Sequence, residues 1–236
     1  GTEQELRTNS SNHSAGDGAL MDSFDSDGFT LSTSASMNTS SANYVAWNWK
    51  ANGAGVSNTD GDITSTVSAS TTSGFSIVSF NGQTGTVGHG LGVKPSMIIL
   101  KCRAVSNNWV IQHKGLTGGM DENVVIFTTS AEIGVATAEP TTSVFTVNNG
   151  IAENNDNIAY CFAEKKGFSK FGSYVSNANV DGTFVYTGMK PAFIIVKNIS
   201  ATGNWFMLDN KRNTYNVINS RLTAEGNFAE DTGSNY

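Results

Sequence analysis

Charge is scarce in this chain. Only 14% of its 236 residues are Asp, Glu, Lys or Arg, against roughly 25% in ordinary soluble proteins. Helical bundles and coiled coils need many charged helix formers, so that class is excluded. The net charge is only −6 and 38% of residues are hydrophobic, which excludes a disordered, charge-swollen tail. Two cysteines are too few for a disulfide scaffold. A sequence pI near 5.0, with no basic cluster beyond Lys211-Arg212, excludes the electrostatic footprint of a nucleic-acid binder. The apolar runs are short, as in Met97–Leu100 and Phe193–Val196, far below the ~18 residues of a membrane span. No basic stretch followed by an apolar core comes after Gly1, so no targeting signal is visible.

Small polar residues fill the space that charge leaves. Ser, Thr, Asn and Gly supply 103 of the 236 residues. Between them lie short blocks rich in β-branched and aromatic residues, bounded by turn formers, which is the pattern of strands. The blocks predict strands over 28–32, 43–50, 75–80, 96–102, 108–113, 123–128, 143–147, 157–163, 168–174, 182–186, 192–197, 204–208 and 216–222. Met97–Leu100 and Phe193–Val196 are continuously apolar, as strands covered on both faces are. Weak helical turns are expected near Leu116–Glu122 and Lys211–Tyr215. Strands at this spacing predict an all-β fold of antiparallel β-sandwich or jelly-roll-like units.

An internal repeat organises these blocks. Lys94–Lys101 matches Lys190–Lys197 at a separation of 96 residues, and Asn108–Ile111 matches Asn204–Met207 at the same separation. Gly74–Phe80 matches Gly167–Tyr174 at 93. Gly28–Leu31 resembles Val144–Val147, and Tyr44–Trp49 resembles Asn157–Phe162. Leu6-Arg7-Thr8 resembles Leu222-Thr223-Ala224 more weakly. With a repeat of about 95–115 residues, the chain divides into the back half of one unit (1–73), a complete unit (74–166) and the front part of a third (167–236). Residues 51–73 read as a polar linker. This division implies a window on a longer array.

Few residues carry the marks of chemistry. Cys102 and Cys161 read as buried free thiols, with a disulfide between them as the alternative; they lack the spacing of a metal or redox site. His89 lies between glycines and reads as a turn histidine bonding a neighbouring carbonyl. His113 falls where the third unit has Asp209, a swap that keeps polarity but not general-base chemistry or metal preference. Asp25/Asp27 and Asp60/Asp62 resemble the first ligands of a calcium loop but lack the rest of it. Trp47 and Trp49 share one face of the expected strand, and Trp109 and Trp205 recur after Asn. Core packing is the first reading of these rings, and stacking on sugars the second. The candidate ligand contacts are therefore Trp47, Trp49, His89, Trp109 and Trp205. No catalytic residue and no cofactor is indicated.

Several blocks carry a family resemblance. They are Tyr44–Lys50, Val56–Gly61, Gly74–Val78, Gly88–Pro95, Ala159–Glu164 and Asn204–Phe206. In their order they resemble a repeat module of large structural proteins in marine and cyanobacterial phages. The resemblance implies a non-enzymatic virion component, such as a tail fibre, appendage or capsid decoration. It implies other virion proteins and further copies of the chain as partners, with a host-surface glycan as a further one. A carbohydrate-binding module of a secreted or cell-surface protein is the alternative. A polysaccharide-degrading enzyme is third, since no acidic pair recurs across the units.

Overall fold

The computed structural model describes residues 5–14, 20–213 and 218–232. Its strands in chain order are β1 (Met21–Phe24), β2 (Phe29–Leu31), β3 (Val56–Asn58), β4 (Ser65–Ser70), β5 (Phe75–Asn81), β6 (Gly85–Gly88), β7 (Met97–Cys102) and β8 (Val110–His113). They continue with β9 (Asn123–Ile126), β10 (Ile133–Gly134), β11 (Val144–Val147), β12 (Asp156–Phe162), β13 (Phe193–Lys197), β14 (Trp205–Asp209) and β15 (Leu222–Thr223). No helix occurs among the described residues. The fold is all-β, built from antiparallel sheets in a sandwich-like arrangement.

The largest sheet has eight strands in the order β10-β9-β8-β7-β12-β5-β4-β3. Side chains alternate across a strand, and that alternation divides its residues between two cores. Val78, Phe80, Ile98, Leu100, Val110, Val124, Ala159 and Cys161 face one core. Val87, Phe145 and Val147 of the β6–β11 ribbon join the same core, with the Phe145 ring 5.9 Å from Phe80. Fully burying a ring such as Phe145 contributes about 1.5–3 kcal/mol. Ile111 and Val125 face the opposite core, with Met97 and Ile99 at its margin. That core is shared with Trp205, Met207 and Ala224 of the β13–β14–β15 sheet and the turn after it. Strands β7 and β8 are thus covered on both faces, as the apolar run Met97–Leu100 predicts.

Several expectations are corrected. Residues 51–73 are not a linker: they hold β3 and β4, and β4 pairs with β5 from Ser65↔Phe80 to Ser70↔Phe75. Their alternating side chains are Ser, Thr, Ala and Val, too small to stand out as an apolar stripe. Residues 43–50, 168–174 and 182–186 form no strand. Of the last expected strand, 216–222, Leu222 begins β15 and Arg221 makes an isolated bridge to Asp231, while residues 216–217 lie outside the described residues. Residues 116–122 make turns rather than helix, and Tyr215 lies outside the described residues. β13 is not covered on both faces, because Ile194 and Ile195 are exposed. Cys102 and Cys161 are free and buried, and Cys161 faces Ile98 while Asn157 faces Cys102 across β7 and β12. Burial pushes the Cys161 thiol up to about 12, so it stays protonated and inert.

Candidate functional site

The two strand pairs that share one sequence pattern also share one set of contacts. In the β7–β8 hairpin, Lys101 ends the apolar run and its side chain is 1% exposed. Its Nζ donates to the carbonyls of Ser11 at 3.1 Å, Cys102 at 2.9 Å and Asn107 at 2.9 Å. An ammonium has three N–H donors, so all three are used. Trp109 Nε1 donates to the Arg7 carbonyl at 2.8 Å. Backbone bonds complete the grip, from Asn107 N to Ser11 O and from Ser14 N to Arg103 O. Residues 7–14 are thereby clasped against the hairpin.

The β13–β14 hairpin repeats this bond for bond. Lys197 Nζ donates to the carbonyls of Thr129 at 3.3 Å, Asn198 at 2.8 Å and Gly203 at 2.9 Å. Trp205 Nε1 donates to Ile126 O at 3.0 Å. Gly203 N donates to Thr129 O, and Glu132 N to Ile199 O. Each hairpin grips a segment from an earlier part of the repeat: residues 7–14 for the first and 126–132 for the second. Burial holds both lysines below the usual lysine value. The carbonyl cage accommodates the charge through charge-assisted bonds.

The clasped segments converge. Thr8 Oγ1 donates to Ala224 O at 2.7 Å, and Trp205 N donates to Glu225 Oε2. A run of rings follows the same line: Tyr160 stacks on Trp109 at 6.3 Å, Trp109 meets Phe127 at 6.0 Å, and Phe127 meets Trp205 at 5.0 Å. Above this line opens a groove of about 690 Å³ with Ser10, Asn108, Thr128, Asn204 and Phe228 on its walls. Phe228 is 70% exposed.

The candidate residues divide between places. Trp109 and Trp205 are both buried; Trp109 and Phe127 line the groove, and Trp205 packs against Phe127. Trp47 and Trp49 lie elsewhere, against Phe193 at 5.3 and 6.4 Å, and Trp49 also meets Phe162. His89 is fully buried. Its Nδ1 accepts from Leu91 N at 3.2 Å, and its Nε2 lies 3.3 Å from Thr141 O. Those partners fit a neutral ring with the proton on Nε2, and burial lowers its pKa in the same sense. Gly90, next in sequence, has φ +68°, which glycine adopts without strain and which lets the turn close.

His113 and Asp209 do the same work at their strand ends. His113 Nδ1 accepts from Gly115 N at 2.9 Å, and Asp209 Oδ1 accepts from Lys211 N at 2.9 Å, each two residues on. Burial, assisted by the Lys114 charge, pushes His113 down to about 4. The acidic loops are spent internally. Asp25 accepts from Ser23 and Thr30, and Asp62 Oδ2 accepts from the Thr86 amide and hydroxyl. These bonds lower both carboxyls. No group of three His, Cys, Asp or Glu side chains is arranged to hold a metal among the described residues.

The lysines, Phe127 and Phe228 were missed as functional candidates in the sequence. The signal available was a lysine closing the same apolar block in both copies, six residues before an Asn or Gly and eight before a Trp.

These features define a class: an all-β protein in which two hairpins of like sequence carry the same lysine–tryptophan clasp. The chain belongs to the family described as a domain of unknown function, DUF7483, whose profile matches residues 1–236. No curated protein and no solved structure matches the chain.

Proposed function

We propose that this protein is a non-enzymatic structural component of a virus particle, built as a β-scaffold of linked repeats in a fibre, appendage or capsid decoration. The observation that carries the reading is the clasp made twice with the same donors and acceptors. A contact that ties one repeat to the segment before it is what a load-transmitting array needs, because each unit then holds its neighbour. The phage-module resemblance of Tyr44–Lys50, Gly88–Pro95 and Asn204–Phe206 supports the virion location. The partners on this reading are other virion proteins and further copies of the chain. Peptide mass spectrometry of gradient-purified particles tests it: the protein is expected at stoichiometric abundance, and its absence from particles rejects the proposal.

One observation favours a second reading, a carbohydrate-binding role. The groove walls carry Asn, Ser and Thr around the open Phe228 ring, a mixture of hydrogen-bonding groups and an apolar platform suited to neutral sugars. A glycan array probed with wild type and Phe228→Ala separates the readings. Binding that falls at least tenfold in the variant supports a glycan site. An array with no binding for either protein leaves the scaffold role alone.

A further inference from the structure

In the complete unit β12 is the central strand, flanked on one side by β5 and on the other by β7. Ala159 faces Val78 across one edge and Leu100 across the other. Each of these three strands has a sequence counterpart. Residues 43–50 correspond to β12, 167–174 to β5, and β13 to β7. The counterparts do not assemble in the same way. Among the described residues β13 pairs on one edge with β14 and has no strand along the other. Residues 43–50 form no strand, and 168–174 contribute only the isolated bridge Lys165↔Ser169.

The patch left open is apolar. Ile194 is 43% exposed, whereas its counterpart Ile98 is 0% exposed. Ile195, next along β13, is exposed too. An edge strand with exposed apolar side chains is a template for another strand. The chain's own residues 43–50 do not fill the position. Lys50 O accepts from Ser73 Oγ and Asn52 N donates to Ser68 Oγ, which ties that end to the region of β4. The Trp47 and Trp49 rings pack against Phe193, the first residue of β13. With this contact already in place, the edge from Ile194 to Lys197 remains unpaired.

We propose that residues 43–50 of a second copy of this chain add as an antiparallel strand along the free edge of β13. The register follows from the complete unit, where Phe162 faces Met97 and Cys161 faces Ile98. Carried through the repeat, Trp49 faces Phe193, Asn48 faces Ile194, Trp47 faces Ile195 and Ala46 faces Val196. Backbone pairing supplies affinity, and the alternating side chains cover the exposed isoleucines. Each copy has one donor segment and one acceptor edge, so the exchange closes as a symmetric dimer or continues as a filament. This deepens the scaffold reading by naming its self-contact, and it stands on the strand correspondence even if particle proteomics fails.

Disulfide trapping between separately prepared chains tests it. Chains carrying Asn48→Cys are mixed with chains carrying Ile194→Cys under mild oxidation. The native thiols are buried, so the new ones are the exposed pair. A covalent heterodimer on a non-reducing gel, absent when either variant is oxidised alone, is the expected result. In light scattering, wild type is expected to run as a dimer or larger, and Ala46→Pro as a monomer, since proline removes a ladder donor. Ala46 lies outside the eight-stranded sheet and is exposed, so far-UV circular dichroism of that variant should match wild type; were it to misfold, the trapping experiment decides. A mixture that stays unlinked with a wild type that stays monomeric overturns the proposal. So does a disulfide that forms only within an Asn48→Cys/Ile194→Cys double variant, which assigns the edge to the chain's own segment.

Discussion

The hairpins β7–β8 and β13–β14 start from nearly the same sequence and end in different environments. Both close a lysine over three carbonyls and point a tryptophan N–H at an earlier segment. Yet β7 lies inside an eight-stranded sheet between β12 and β8, while β13 is an edge. Lys101 is buried and Lys197 only half-buried. The clasp is therefore a local property, carried by a strand, a turn and one tryptophan. Burial is a property of neighbours, and the two hairpins have different ones.

Matched substitutions should expose that difference. Ile98→Ala empties a closed core position and should cost about 2–5 kcal/mol. Ile194→Ala, at an exposed site in the monomer, should cost under about 1 kcal/mol. Urea unfolding of the two variants at low protein concentration measures both, and equal losses would contradict the assignment of β13 as an open edge. Lys101→Met leaves buried carbonyls without their donor and should cost about 3 kcal/mol, against about 1 kcal/mol for Lys197→Met, where water can replace the ammonium. Thermal melts of the pair report the gap.

Acid should act on one hairpin first. His113 is held at about 4, below its ordinary 6.5, so its contribution is complete above the unfolded value and is lost as pH falls from 6.5 through 4. Asp209 is also depressed: burial raises its carboxyl, and the hydrogen bonds it accepts from Arg212 and Lys211 outweigh that. Its contribution persists until pH falls below the ordinary carboxylate range. Stability followed from pH 7 to 4 should drop by roughly 2–3 kcal/mol, and His113→Asn should flatten that slope. Trp109→Phe and Trp205→Phe each delete one buried N–H donor and should cost about 1 kcal/mol apiece. Near-equal losses are the expected outcome, because this part of the clasp is the same in both hairpins.

Much of the fold is legible in the sequence. The strands at β5, β7, β8, β9, β11, β12, β13 and β14 follow from β-branched and aromatic blocks between turn formers, and the repeat tied β7 to β13. The strands that escaped notice are β1, β3, β4, β6 and β10; β3, β4 and β6 carry Ser, Thr, Asn, Ala, Gly and single valines. Those three are strands because β4, β5 and β11 offer backbone groups to pair with, and pairing leaves no mark in composition. The reverse error occurs at 43–50, 168–174 and 182–186, where the side chains suit a strand but the backbone joins no ladder.

The candidate site was half legible for the same reason. Trp109 and Trp205 stood out because they recur, and their indole N–H partners lie 102 and 79 residues away. Nothing local in the sequence points across such separations.

The order of residues alone determined the class of element, the turns and the repeating lysine–tryptophan pattern, because these depend on side-chain shape, backbone freedom and spacing within a few residues. Which strands are central, which lysine is buried, and which edge stays open depended on the packed chain. Burial and hydrogen-bond pairing are set by what lies alongside, and two identical strands with different neighbours are physically different objects.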